Sequence, residues 1–438
     1  MRLSAGPRTV HVNANWRAIC AIATFSLALA FLVFRYGGVL SPDWNIAACG
    51  IAAMAIILAL SPVQTKPAVL EPGRPIAWSL VLLCAYIVFQ TIPLPAALVG
   101  VLSPGRFELA SASRILGAPP RFFSLSVFPS ATLAELSNFL CYALVFVSIY
   151  NLARQMNRPA WLLILPLVLL GVGEAIFGIL QATLGGIPHF AHGTYINKNH
   201  FAGFLEMIVA FPLAYGWQPR GSGMRVQCAA LAMALIIAAA IAISTSRSGI
   251  IAAALAILLT IALMGAMRPV FYLAGAAGTV ALVAAILFLF PIEAVDSVRP
   301  AIWRDTLHLI RAFPITGSGF GTFETAMYRY KTAAPLYTVD YAHNDYMQLL
   351  AELGAAGFLM LIVIASAVVR RTIATLRTAR TPDQKALVSA GLGAFAAIAL
   401  HSLTDFNLYI PANAMTLAWI AAVVLAAGDR AGAAINEC

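Results

Sequence analysis

The sequence predicts an all-α, polytopic transmembrane bundle of roughly twelve spans, with one large loop outside the membrane. Three observations lead there. The chain of 438 residues is 61% hydrophobic and only 10% charged, whereas soluble domains carry about 25% charged residues. Its apolar runs are about 20 residues long and rich in Ala, Leu, Ile and Gly, the length of a membrane helix; a transmembrane β-barrel would show short alternating strands instead. Its basic residues alternate in density from one loop to the next.

The N-terminus carries Arg2, Arg8 and Arg17 before the apolar run from Ala18 to Phe34. This resembles a signal peptide. Arg35-Tyr36-Gly37 follows, however, where a small-residue cleavage site would stand. A retained first helix with its N-terminus inside is therefore expected. Spans are expected near 18–34, 46–61, 76–99, 131–152, 160–184, 200–217, 226–243, 249–267, 270–291, 346–369, 386–403 and 411–427. With both termini cytoplasmic, sixteen of the 27 Lys and Arg fall inside, six in short outside segments and five in the long outside loop. That bias follows the positive-inside rule and accounts for the net charge of +10 without nucleic acid. The six cysteines show no paired spacing, so neither a disulfide framework nor a metal site is indicated. No Walker loop, dinucleotide fingerprint or His-Glu-x-x-His pair occurs, so no cofactor is expected.

The first outside loop, 100–130, contains Ser103-Pro104, a helix-start signal. It is expected to lay a short helix on the outer surface, ended at Gly117-Ala118-Pro119-Pro120. The long loop, 292–345, has two helix signals of its own. Ser297 is read as the cap of a helix carrying Ile302, Trp303, Leu307 and Ile310, stopped by Phe313-Pro314. A second places Phe323, Met327 and Tyr330 on one side. Both are expected to lie over the membrane mouth, apolar faces down. A loop this long in a compact membrane protein is usually functional.

Most of the unusual polar groups fall on the outer side. His189 to His200 includes Asn197 and Asn199, which suit either a site or a turn and helix cap. Arg247 stands in the hydroxyl-rich turn Ser244-Thr245-Ser246-Arg247-Ser248 between two apolar helices. Its planar, permanently charged fork suits a phosphate, although a snorkelling interfacial arginine would look the same. The long loop adds Arg299, Arg304, Arg311, Arg329 and Lys331; Thr404-Asp405-Phe406-Asn407 lies between the last two spans. Asn344, Gln348 and Glu352 recur every four residues, a stripe descending into the membrane that either lines a wet cavity or joins helices. Gly354 and Gly357 below it admit a lipid chain or a close neighbouring helix. His343, at the helix start, has a side chain suited to positioning or deprotonating a sugar hydroxyl.

These residues resemble the O-antigen ligase and polymerase superfamily of bacterial membrane glycosyltransferases. His343-Asn344, nine residues and then Gly354-x-x-Gly357 is similar to the ligase pattern. Gly193 to Gly203 is similar to its Asn-x-Asn segment, and Ser246-Arg247-Ser248-Gly249 to its Ser-Arg-x-Gly turn. Arg299-x-x-x-Trp303, Pro314 and Gly317-x-Gly319-x-Gly321 resemble the start of its outer loop. The likeness spans roughly 190–425, with N-terminal helices over 1–185, a core over 186–428 and a tail over 429–438. It implies a GT-C-like helical enzyme of the bacterial inner membrane working on the periplasmic face. The donor would be a glycan on undecaprenyl diphosphate, and the acceptor lipid A–core or another glycan, with membrane lipids around it and no metal. The implied catalytic residues are His343, Arg247 and Arg299. Arg304 is the reserve loop arginine, and Asn197, Asn199, His200, Asn344, Gln348 and Glu352 are expected to shape the substrate site. A polymerase of repeat units is the alternative within the superfamily. A secondary transporter or flippase is the alternative outside it, though transporters keep their polar sites near the midplane.

Overall fold

The computed structural model describes residues 15–60, 74–112, 117, 121–156, 160–185, 189–218, 223–265, 294–332 and 338–433. The expected span 270–291, Arg2, Arg8 and Ala118-Pro119-Pro120 lie outside them. The described chain is an all-α bundle of fifteen helices. In order they are α1 (Asn15–Phe34), α2 (Ser41–Ala59), α3 (Arg74–Thr91), α4 (Ala96–Leu102), α5 (Pro104–Ala112), α6 (Pro129–Gln155), α7 (Trp161–Leu184), α8 (Lys198–Trp217), α9 (Met224–Ile243), α10 (Arg247–Met264), α11 (Ala294–Ala312), α12 (Phe323–Met327), α13 (Asp345–Arg377), α14 (Pro382–His401) and α15 (Pro411–Ala433). Seven are long and apolar enough to cross a membrane: α2, α6, α7, α9, α10, α13 and Pro411–Asp429 within α15. Ala18–Phe34 and Pro75–Thr91 are shorter apolar helices. Side chains such as Leu27, Leu235 and Leu359 are exposed on the bundle's outer surface, as lipid-facing positions require.

α8 is the axis. Every residue from His200 to Pro212 is buried, and α8 packs on α7, α9, α10, α14 and α15. A helix screened from lipid on all sides can carry His200 and Glu206 that a lipid-facing helix would not tolerate.

Three features depart from expectation. The span 76–99 stops at Thr91, because Pro93 and Pro95 cannot continue a helix. Leu94–Pro95 instead forms β1, paired antiparallel with β2 (Phe122–Phe123). α11 begins at Ala294, upstream of Ser297, so Ser297 is not its cap. The apolar faces of the loop helices turn toward each other. Ile302, Leu309 and Phe313 of α11 and its end meet Phe323 and Met327 of α12 in a small core of their own, closed by Ala351 of α13.

α13 is broken at Gly354, whose φ of 62° and ψ of −177° are non-helical. The break frees carbonyls that the glycine turn 314–321 takes up. Ser318 N–H donates to Ala351 O at 2.9 Å and Gly319 N–H to Glu352 O at 3.0 Å; Ala355 N–H donates to Pro314 O at 2.9 Å. Gln90 Nε2 of α3 bonds Thr316 O and Glu352 O, and Tyr86 Oη bonds Leu353 O. A Cβ on Gly354 would lie 2.3 Å from Ile315 O, and one on Gly357 2.7 Å from the Tyr86 ring. Both glycines therefore serve close protein packing.

Candidate active site

Helix caps bring the polar residues to one end of the bundle. Asn197 caps α8, accepting from Asn199 N–H at 2.8 Å, which sets Asn199 and His200 in its first turn. Ser246 caps α10 and accepts from Gly249 N–H at 3.3 Å. Asn344 caps α13 and accepts from Met347 N–H at 3.0 Å. The chain turns sharply before two of these caps: of the three non-glycine residues with left-handed backbone among those described, two are Thr245 (φ 57°) and His343 (φ 50°). Such strain concentrates at functional sites. Beyond α14, Thr404 and Asp405 donate their N–H groups back to His401 O, turning the Asp405 side chain among the three helix starts.

Asp405 is fully buried and central. Asn199 Nδ2 donates to its Oδ2 at 2.7 Å. His343 Nδ1 and His200 Nε2 lie 3.5 and 3.6 Å from its Oδ1, and Arg299 Nη2 lies 3.7 Å from its Oδ2. Burial alone would raise this carboxyl, but the imidazoles of His200 and His343 and the Arg299 guanidinium outweigh it and hold it well below the usual carboxylate range. Arg299 Nη1 also donates to Thr404 O at 2.6 Å. Ser248 Oγ meets Thr404 Oγ1 at 2.7 Å, and Ser246 Oγ donates to Asn199 Oδ1 at 2.8 Å. Arg247, half-buried, therefore stands between two serines that are each fastened to the Asp405 group.

The structure thus brings together Arg299, His343, Asn199 and His200, with Arg247 beside them. Asn197 serves as a cap. Arg304 is exposed on α11 and outside the hydrogen bonds around Asp405. The stripe below His343 faces protein. Asn344 Nδ2 donates to Leu403 O, and Gln348 Oε1 accepts from Ala342 N–H. Glu352 accepts from Gly321 N–H, Phe323 N–H and Tyr409 Oη at 2.9, 3.0 and 2.6 Å. Gln348 and Glu352 tie the 294–345 loop to α13, and Asn344 ties α13 to the turn after α14. Asp405 itself had only a weak sequence signal, one acidic residue in a short turn between two apolar helices. Its partners come from three distant segments.

An apolar cavity of about 440 Å³ lies among α3, α6, α13, α14 and α15, lined by residues such as Leu83, Phe139, Leu353 and Leu361 and, nearest the Asp405 turn, by Ser402 and Leu408. Tyr409 and Phe320 lie on its wall. From Tyr409 a run of rings leads to the polar group: Tyr341 at 6.0 Å between centroids, Phe406 stacked on Tyr341 at 3.9 Å, and His343 at 5.0 Å from Phe406.

The family model described as O-antigen ligase matches residues 232–362. No curated protein matches the chain. The match takes in Ser246, Arg247, Arg299, His343 and the stripe to Glu352, and leaves Asn199, His200 and Asp405 outside. The helical membrane bundle and this match together support a likeness to the O-antigen ligase superfamily over residues 232–362.

Proposed function

We propose that this protein is a metal-independent glycosyltransferase of the inner membrane, acting on the periplasmic face through a core over 186–428. It moves a glycan from undecaprenyl diphosphate to an acceptor hydroxyl such as one on lipid A–core. The observation that carries this reading is the meeting of Arg299, His200 and His343 on the Asp405 carboxylate, with Arg247 alongside, next to an apolar cavity. Permanent cations beside a lipid-sized cavity suit a lipid diphosphate.

In the reaction, the acceptor oxygen bonds to the sugar's anomeric carbon as that carbon's bond to the diphosphate oxygen breaks. Arg247 and Arg299 neutralise the charge gathering on the departing diphosphate. His343 turns Nδ1 to Asp405, which leaves Nε2 to take the acceptor's proton. Asp405 holds that tautomer and stabilises the imidazolium that results. Asn199 and His200 orient Asp405, and Asn344, Gln348 and Glu352 hold the loop that carries the site. The lipid chain lies in the cavity.

Arg247→Ala and His343→Ala, inserted at wild-type levels, should each abolish surface polysaccharide. Retention of normal polysaccharide in both would overturn the reading. Gel analysis of a deletion strain separates a ligase from a polymerase: loss of a ligase leaves lipid-linked polymer, loss of a polymerase leaves single repeats.

A further inference from the structure

Two fully buried ionisable side chains lie beneath Asp405, and the chemistry above does not use them. Glu206 is more than two turns into α8, and His401 is the last residue of α14. His401 Nδ1 lies 2.8 Å from Glu206 Oε2, and both side chains have no solvent exposure. Their remaining polar atoms, Glu206 Oε1 and His401 Nε2, have no hydrogen-bond partner among the described residues. Apolar residues of the same volume would join two buried helices as well or better, because desolvating such a pair is costly. A pair kept at this depth calls for a role other than adhesion.

The pair reaches Asp405 by two routes. Through the backbone, His401 O accepts the N–H groups of Thr404 and Asp405 at 2.9 and 3.1 Å. Through α8, Glu206 is rigidly linked to Asn199 and His200, which contact the Asp405 carboxylate. The charged groups facing His401 are Glu206, Asp405 and Asp345. Asp345 is held by Ser402 Oγ at 2.7 Å, and its own N–H donates to Asp405 O. The turn also sits tightly on α8: a Cβ on Gly203 would meet Asn407 Oδ1 at 2.0 Å. Asn413 Nδ2 bonds both His200 O and Asn407 Oδ1 at 3.0 Å.

We propose that Glu206 and His401 are positioning residues. Their bond fixes the register of α8 on α14, so that Asn199 and His200 meet Asp405 and Asp405 meets His343. The inference rests on reading the Asp405 group as the transfer site. A displacement of about 1 Å between reacting groups can cost as much as a hundredfold in rate, so a directional bond that admits one register is worth its desolvation.

The test compares Glu206→Gln, His401→Gln and the double variant in purified full-length protein. It uses steady-state transfer from a polyprenyl-diphosphate glycan and ¹⁵N-histidine spectra across a pH series. Each single variant should lower kcat roughly tenfold or more while KM for the donor stays within about twofold, and the double should be no worse than either single because the two act as one unit. The imidazole signals of His200 and His343 should move in every variant. Folded variants with wild-type kcat and unmoved His200 and His343 signals would overturn the proposal. If a substitution prevents insertion, the exchanged pair Glu206→His/His401→Glu decides: recovery of both signals supports positioning, and insertion without recovery refutes it. If the wild-type protein transfers no lipid-linked glycan, the functional reading fails by itself, and the histidine spectra still decide the role of the pair.

Discussion

At the scale of single residues, the weight falls on Asp405. Its carboxylate has Asn199, Arg299, His200 and His343 around it and no exposure. Removing one member of a buried charged set leaves the others uncompensated, so Asp405→Asn should destabilise the protein in detergent by about 3 kcal/mol, read as a lowered unfolding midpoint. A carboxyl held below its unfolded value of about 3.9 stabilises the fold at all pH above that value and loses the contribution as pH falls through its folded value. Thermal stability should therefore decline below about pH 4, and that acid-side decline should be shallower in Asp405→Asn. An equal acid limb in the variant would remove Asp405 as its source. The sequence marked His343, Arg247, Arg299, Asn199 and His200, because polar groups at the ends of apolar helices stand out. It did not mark Asp405 as their meeting point, since that depends on contacts between residues about 60 to 200 positions apart.

At the scale of elements, the break in α13 ties the 294–345 loop to the bundle. Gly354 has a left-handed φ, and the added Cβ would strike Ile315 O and Gly317 N at 2.3 and 2.4 Å. Gly354→Ala should cost about 2–3 kcal/mol and loosen the 314–321 turn. Gly173→Ala in α7, where a Cβ meets nothing within 4 Å, should be neutral or slightly stabilising. Hydrogen exchange of residues 317–323 reads the difference; equal protection in the two variants would contradict it. The glycine pair was legible as a pattern and not as a cause. The backbone that forbids a side chain at Gly354 comes from residues 315–317, nearly forty positions away. The early end of α3, by contrast, lay in plain view at Pro93 and Pro95, where local chemistry overrode a hydropathy that runs on unbroken.

At the scale of the molecule, eleven of the twelve expected spans correspond to helices, and the twelfth lies outside the described residues. Span position is legible because hydropathy is local. The lateral order of helices is not: nothing in the sequence announces that α8 is central, or that α3 and α6, from the N-terminal helices, wall the apolar cavity. This arrangement makes a sharp distinction between two arginines on α11. Arg299 reaches Asp405 and Thr404, and Arg304 faces out. The most direct measurement is the affinity of purified wild-type, Arg299→Ala and Arg304→Ala proteins for a polyprenyl diphosphate. Loss of a charge-assisted contact should weaken Arg299→Ala about tenfold or more, with Arg304→Ala close to wild type. Equal affinity in all three, or a loss confined to Arg304→Ala, would contradict the assignment of this site to the lipid diphosphate.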